Sequence, residues 1–416
     1  MNPINKIRYY LLPILLSALP IIAVFFTNKV ISIVIIINLI VFFFEKGIKQ
    51  NFKKNLGYIR PYLVFCLFCT IATLLSKNFA VSVKSLERYT SLLLLPIIIF
   101  SSDLDNKRIK IILRFFIFFM IGVSLFSIGK LIWFVNVYED WIEVMRGVNK
   151  NDTYVQFKYP HLMWDVHPSY WSYLMIIVNV ILLNNKSFNK VFSKNISLIL
   201  LILFNLNLFY LSARITLAIN ILIHLISITY FFKEKLKIIV LLYLLIISSM
   251  ILAYFQLPFL KYKIQSIPND DRFFLWSLTY DKIESNDFVY GEGFGLGKLY
   301  IESELKNIKD PREDFKGTEI HNQYLSALLE TGIVGLFFLI YIYFKPCFSI
   351  NSKFKIVSSM PQISIAFLIL IASIIEPFFN VIKGIVIFAM FSSLFKVSCS
   401  SNNKQIKVKK NVNGKL

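Results

Sequence analysis

Apolar residues in this chain do not alternate with polar ones; they run in long unbroken stretches separated by short basic or polar breaks. Candidate spans fall at 9–26, 30–44, 59–75, 89–101, 111–135, 169–184, 196–212, 214–232, 236–255, 323–344, 361–377 and 378–396. A bilayer core about 30 Å thick takes roughly 20 apolar residues as a helix, fewer where flanking side chains reach the interface. About twelve membrane helices are therefore expected. The fourth is short, and only Glu376-Pro377 and Asn380 split the last two. Two long polar stretches, 136–168 and 256–320, interrupt the series. The chain thus divides into N-terminal membrane helices over 1–255, a large loop over 256–320, C-terminal membrane helices over 321–396 and a basic tail over 397–416.

Charge gives the series a direction. With the N-terminus inside, the inner loops hold Lys46, Lys49, Lys53 and Lys54, then Lys107, Arg108 and Lys110, then Lys186, Lys190 and Lys194. Lys233, Lys235 and Lys237, then Lys345, Lys353 and Lys355, and finally the tail continue the pattern. Short outer loops carry few basic residues, as orientation by cytoplasmic lysine and arginine requires. Both long loops then lie outside, where ordered loops of this length commonly carry function. The formal charge of +21 is explained by this bias, and no nucleic-acid partner is expected. At 56% hydrophobic and 17% charged residues, the composition excludes one aqueous core; the expected fold is an all-α polytopic membrane protein. The first apolar run has no small-residue cleavage site, so no cleavable leader is expected.

Some polar residues are not explained by span or orientation. The stretch HNQYLSALLETGIVGL at 321–336 opens a membrane helix with histidine and asparagine, and buries Glu330 with two glycines inside it. A mere anchor needs none of these. Arg88, Arg214 in LSAR and Arg272 in DDRFFLW all lie on the outer side. Snorkelling to headgroups accounts for Arg88 or Arg214 singly, and Asp270 or Asp271 for Arg272. Three guanidinium groups and a histidine on one face instead suit a phosphate ligand. His167 stands at the outer end of the sixth span; pairing with His161 on zinc is poorly spaced, and a hydrogen-bonded interfacial histidine is the simpler reading. His224, inside a span, is expected to be a neutral packing residue bonded to a neighbouring helix.

Other signals fail as chemistry. GEGFGLG at 291–297 lacks the last glycine of a nucleotide loop, so its glycines are read as tight turns where backbone approaches something closely. Asp103 and Asp105 form a D-x-D, yet on the inner side, where Lys107 and Arg108 neutralise it. Cys66 and Cys69 sit in an apolar run and read as small packing residues. No metal site and no cofactor are expected. A twelve-helix transporter is the rival reading, but transporters place ionisable groups at the midplane and repeat their halves, and here polar residues collect at the outer face.

The residues at 321–336 resemble the signature of the O-antigen ligase and O-antigen polymerase superfamily. LSAR, RFFLWSLTYDKI, GEGFGLG and HPSYWSYL agree with it in order, the block from Arg272 to Gly335 being the most specific; Ala213 departs from the small hydroxyl or glycine residue common there. The resemblance implies a fold similar to the type C glycosyltransferases, in the bacterial inner membrane with both termini cytoplasmic. It implies metal-independent transfer of a glycan from an undecaprenyl diphosphate carrier to an acceptor at the periplasmic face, for lipopolysaccharide biosynthesis in the cell envelope. On this reading His321 is catalytic, and Arg214 and Arg272, with Arg88, bind the diphosphate. Asn322 and Tyr324 orient His321 or the sugar, His167 supports the site, and Glu330 pairs inside the bundle. Lipid A-core is the favoured acceptor. A second lipid-linked repeat would make the chain a polymerase, and a protein hydroxyl would make it an oligosaccharyltransferase. Membrane lipids complete the expected partners.

Overall fold

The computed structural model describes residues 3–138, 166–188, 190–211, 213–256, 261, 264–265, 267–284, 289–307, 319–348 and 356–413. Its long helices are α1 Pro3–Phe25, α2 Asn28–Phe43, α3 Ile48–Leu74, α4 Phe79–Ser101, α5 Asn106–Tyr138, α6 Pro168–Leu183 and α7 Lys194–Leu211. They continue as α8 Arg214–Phe231, α9 Leu236–Gln256, α10 Asp271–Glu284, α11 Gly297–Asn307, α12 Gln323–Phe344, α13 Ile356–Ile375 and α14 Ile382–Asn413. No strand occurs among the described residues. Every apolar stretch named above falls on one helix, and the large loop over 256–320 contributes α10 and α11. By length and composition, 6 helices are long and apolar enough to cross a membrane, and Tyr9–Phe25, Asn28–Phe43, Pro168–Leu183, Leu236–Ser248 and Met360–Ile375 are shorter apolar helices. A polytopic all-helical membrane protein stands.

The fourth stretch differs from its expectation. It is a full helix of 23 residues beginning at Phe79, so Arg88 lies in mid-helix and does not precede it. Its first half carries Lys84, Glu87 and Arg88, which hides a helix from a hydropathy reading. Asn78 starts it, its side chain accepting from the Val81 N–H.

The chain forms two compact units, one of residues 1–113, 186–189 and 271–416, the other of 114–185 and 190–270. In the first, α14 is the core: residues 385–391, Leu394 and Phe395 are fully buried, and the helix packs on α1, α4 and α13. A helix apolar on all sides needs neighbours all round. On α10, α11 and α12, Leu275, Ile283, Ile301, Leu305, Ile320 and Leu329 form one buried cluster. Arg108 stays at the D-x-D, its guanidinium donating to the Asp103 carbonyl at 2.9 Å, and takes a further acid as partner. Its buried guanidinium forms a two-pronged pair with Glu45 at 2.5 and 2.7 Å, while Asp105 accepts from the Arg108 backbone N–H and from Tyr9. The four cysteines are buried and free, as small packing residues should be.

In the second unit α6 packs on α7 and α8. Inside their apolar contact, Asn179 donates to Asn220 at 3.0 Å and Asn220 donates to Asn205 at 2.6 Å. Asparagines that bond one another across helices hold them together where the hydrophobic effect between helices is weak. His224 bonds the Asn220 carbonyl of its own helix at 2.8 Å, which corrects the expected bond to a neighbouring helix. On α9, by contrast, Leu241, Leu244 and Ile251 face outward, as lipid contact permits.

The asparagine triad sets a stability prediction. Asn220→Ala, which removes both of that residue's links, is expected to cost about 1 kcal/mol, read as a lower Tm in detergent. An unchanged Tm would show that the triad contributes nothing.

Candidate functional site

The start of α12 is built by side chains that look functional in the sequence. Asn322 is its N-cap, with extended backbone and an oxygen accepting from the N–H groups of Tyr324 and Leu325 at 2.9 and 3.1 Å. This satisfies two of the donors that a helix start leaves open. The Tyr324 hydroxyl donates to the Leu370 carbonyl at 2.8 Å. Both side chains therefore hold the helix in place. His321, just before the cap, is half-buried and has φ +51°, a left-handed conformation uncommon outside glycine. Two residues passed over in the sequence add to the frame: Gln323 accepts from the Phe379 N–H at 2.6 Å, and Ser326 accepts from the Asn380 side chain at 3.0 Å. Residues 376–380, between α13 and α14, are thereby pinned to the first turn of α12.

One turn further on, α12 breaks. Gly332 has φ +64° and ψ −168°, so the ladder of helical hydrogen bonds is interrupted there. The Leu329 and Glu330 carbonyls accept instead from the N–H groups of Glu292 and Gly293, at 2.8 and 3.0 Å. The glycine-rich loop thus lies against the break. A Cβ on Gly332 would stand 2.0 Å from the Val289 oxygen. At Gly335 a Cβ would fall 1.9 Å from the Thr331 hydroxyl of the same helix and 3.0 Å from Phe68 of α3. Gly332 instead admits a loop.

Glu330 is the anion of that loop. Its carboxylate accepts from Gly295 N–H at 2.9 Å, from Gly297 N–H at 3.2 Å and from the Ser326 hydroxyl at 3.2 Å. Gly297 is the first residue of α11, so the carboxylate sits at the positive end of a helix. GEGFGLG is therefore an anion-binding loop whose ligand is the protein's own acid. The expected pairing of Glu330 inside the bundle is corrected in kind: its partners are backbone amides and a serine. At the loop's outer end Glu292 bonds Lys77 at 2.7 Å and Tyr300 at 2.6 Å. Those two bonds hold its carboxyl below the usual range although partial burial opposes them.

Beside the loop lies a cavity of about 270 Å³, lined among others by Lys84, Arg88, Lys298, Glu319, Glu330 and Asn380. One water needs only ~10–15 Å³. Lys84 and Arg88 are four residues apart and share a face of α4. Arg88 donates to the Asn380 carbonyl and, at 2.8 Å, to the Ser85 hydroxyl, which fixes its guanidinium at the cavity wall. Arg272 reaches an acid far from it in the chain: its Nη2 lies 3.7 Å from Glu376 Oε1. Arg88 and Arg272 are thus both attached to segment 376–380. Burial raises the Glu319 carboxyl above the usual range, Glu376 adding to the effect and Arg88 and Lys298 opposing it.

Arg214 and His167 belong to the second unit. Arg214 opens α8, with Nη2 3.8 Å from Asp270 Oδ2. His167 precedes Pro168 at the start of α6, exposed, its ring 5.5 Å from Tyr170. His161 lies outside the described residues. Sequence reading thus found Arg88, Arg272, His321 and Glu330 in one unit. It missed Lys84, Lys298, Ser326, Asn380 and Glu319. An acid two residues before the histidine in TEIHNQY was the available signal for Glu319.

Residues 197–340 match the family model described as O-antigen ligase, which bears out the superfamily resemblance. The matched segment contains α10, α11 and the break in α12. No curated protein matches the chain.

The loop's fit at the break is open to test. Gly332→Ala must hold a left-handed residue, at about 1–2 kcal/mol, and also displace Val289. It is expected to lower Tm by several degrees and to expose the 289–297 loop to protease. Gly122→Ala, whose Cβ meets nothing within 4 Å, serves as the silent control. Equal Tm values for the two variants would contradict the close packing of loop and break.

Proposed function

Starting from the O-antigen ligase family match, we propose that this chain is a membrane glycosyltransferase of ligase type. It moves a glycan from undecaprenyl diphosphate to a hydroxyl of lipid A-core, at the periplasmic face of the bacterial inner membrane. The observation that supports this most is the cavity bounded by Lys84, Arg88 and Lys298, next to the residues that lead into His321. A departing diphosphate gains negative charge as its bond to the sugar breaks, and fixed cations stabilise that charge without having to reorganise. Arg88 is already oriented by Ser85 and Asn380, so its position does not depend on the substrate.

The rest of the reaction follows from its chemistry. The donor carries a polyprenyl tail, so its headgroup has to reach the cavity from the bilayer. A sugar hydroxyl is a weak nucleophile, and a nearby group that manages its proton accelerates attack, typically 10²–10⁴-fold. His321 acts on that acceptor hydroxyl. Arg272 completes the binding of the diphosphate. In-line attack at the anomeric carbon inverts its configuration. The transfer proceeds without a metal ion or cofactor.

With purified protein and a labelled lipid diphosphate glycan, His321→Ala is expected to reduce transfer at least 100-fold. Arg272→Lys should lower it about tenfold although the charge is kept, because a lysine cannot present two parallel donors. A chelator should leave the rate unchanged. Full activity in either variant, or inhibition by chelator, would overturn the corresponding assignment. The acceptor is read from the lipopolysaccharide of a deletion strain. Loss of all long chains with accumulated polymer identifies a ligase, single-repeat caps identify a polymerase, and normal banding contradicts both.

A further inference from the structure

Glu319 differs from the other acids around the cavity. Glu330 is saturated by two amides and a hydroxyl, and Glu376 faces Arg272. Glu319 lines the same cavity, yet among the described residues no hydrogen bond or ion pair holds its carboxylate. Its backbone is fixed all the same, because the next residue, Ile320, is 1% exposed and belongs to the apolar cluster of α10, α11 and α12. Half-buried beside the cations of the cavity, this carboxylate stays open to a ligand. Such groups are found where chemistry needs them. His321, in contrast, is not among the residues that line the cavity.

We propose that Glu319 is a catalytic residue of the transfer reaction, the group that receives the proton of the acceptor hydroxyl. The inference rests on the reading given above, that a lipid diphosphate donates a glycan here. The acceptor oxygen forms its bond to the anomeric carbon as the bond from that carbon to the diphosphate oxygen breaks. The electron pair of the broken bond leaves on the diphosphate, beside Lys84, Arg88 and Lys298. The hydroxyl proton passes to a Glu319 oxygen and then to solvent when product departs. His321, placed at the acceptor hydroxyl above, then hydrogen-bonds and orients it, and the loss expected for His321→Ala is a loss of orientation.

The surroundings suit this role. Lys84 and Arg88 face the cavity from α4, Lys298 from α11, Glu330 from α12, and Glu376 acts from the segment before α14. Burial is the largest influence on Glu319 and makes it a stronger base than an exposed carboxylate; Arg88 and Lys298 keep it ionised enough to accept a proton. The developing charge on the diphosphate strengthens it further during the reaction. A carboxyl raised in this way is protonated and inactive at low pH, and becomes active as pH rises through its elevated range.

The test is steady-state kinetics on the purified full chain, with labelled lipid diphosphate glycan as the varied substrate, across pH 4–8. Wild-type kcat is expected to climb through a carboxylate limb displaced above about 4.3, the ordinary glutamate value. Glu319→Gln should lower kcat at least 100-fold, move the donor KM less than threefold and lose the limb. A Glu319→Asp variant should recover part of kcat and keep the limb. If Glu319 only balances the cations, Glu319→Gln will instead tighten donor binding at unchanged kcat, and the proposal fails. If Glu319→Gln does not fold, Glu319→Asp decides: a lower kcat with the limb retained supports the proposal, and wild-type kinetics overturn it. Wild-type protein that transfers nothing would overturn the transferase reading itself, and this inference with it. An active wild type beside a fully active Glu319→Gln overturns the inference alone.

Discussion

The acceptance of two backbone N–H groups by the Glu330 carboxylate is the interaction on which the candidate site depends. A membrane helix has no reason to carry an acid unless its charge is met, and bare ionised groups in apolar surroundings are expensive. Here the charge is met by amides that have no partner inside a helix of their own. The break at Gly332 is the other half of the same device: it opens a gap in α12 and frees two carbonyls for the loop to bond. Removing either half leaves buried donors or acceptors unsatisfied, which costs more than the bond contributes when formed. The loop, α11 and the first turns of α12 therefore behave as one rigid piece.

That rigidity has a chemical consequence. Lys298 follows directly from the loop, Arg88 is tied to the 376–380 segment, and that segment is tied to α12 through Gln323 and Ser326. From Glu330 a chain of hydrogen bonds runs through Ser326 and Asn380 to Arg88. Cations arranged in this way are already in place before a ligand arrives. An enzyme that stabilises a leaving group by electrostatics requires that kind of preorganisation. The second unit uses hydrogen bonds differently, with its three asparagines bonding one another between apolar helices.

The helices were legible in the sequence because lipid imposes long apolar stretches, and each such stretch is a helix. The fourth was misjudged in length because Lys84, Glu87 and Arg88 interrupt the hydropathy of α4 while leaving its backbone helical. His321, Glu330 and the glycines stood out as residues that an anchor does not need. What they touch did not stand out. Glu330 meets a loop 33 and 35 residues earlier in the chain, and no periodicity reports a contact of that range. The pairing of Arg108 with Glu45 and of Arg272 with Glu376 was hidden for the same reason, since nearer acids offered themselves. Asn322 read as a site residue, and its cap geometry explains its presence without one.

The most direct measurement is a structure of the protein with a polyprenyl diphosphate bound. The account predicts the two phosphates inside the 270 Å³ cavity, within hydrogen-bonding reach of Arg88 and Lys298, with the Glu330 latch intact. A diphosphate bound elsewhere on the protein while that cavity holds only water would contradict it.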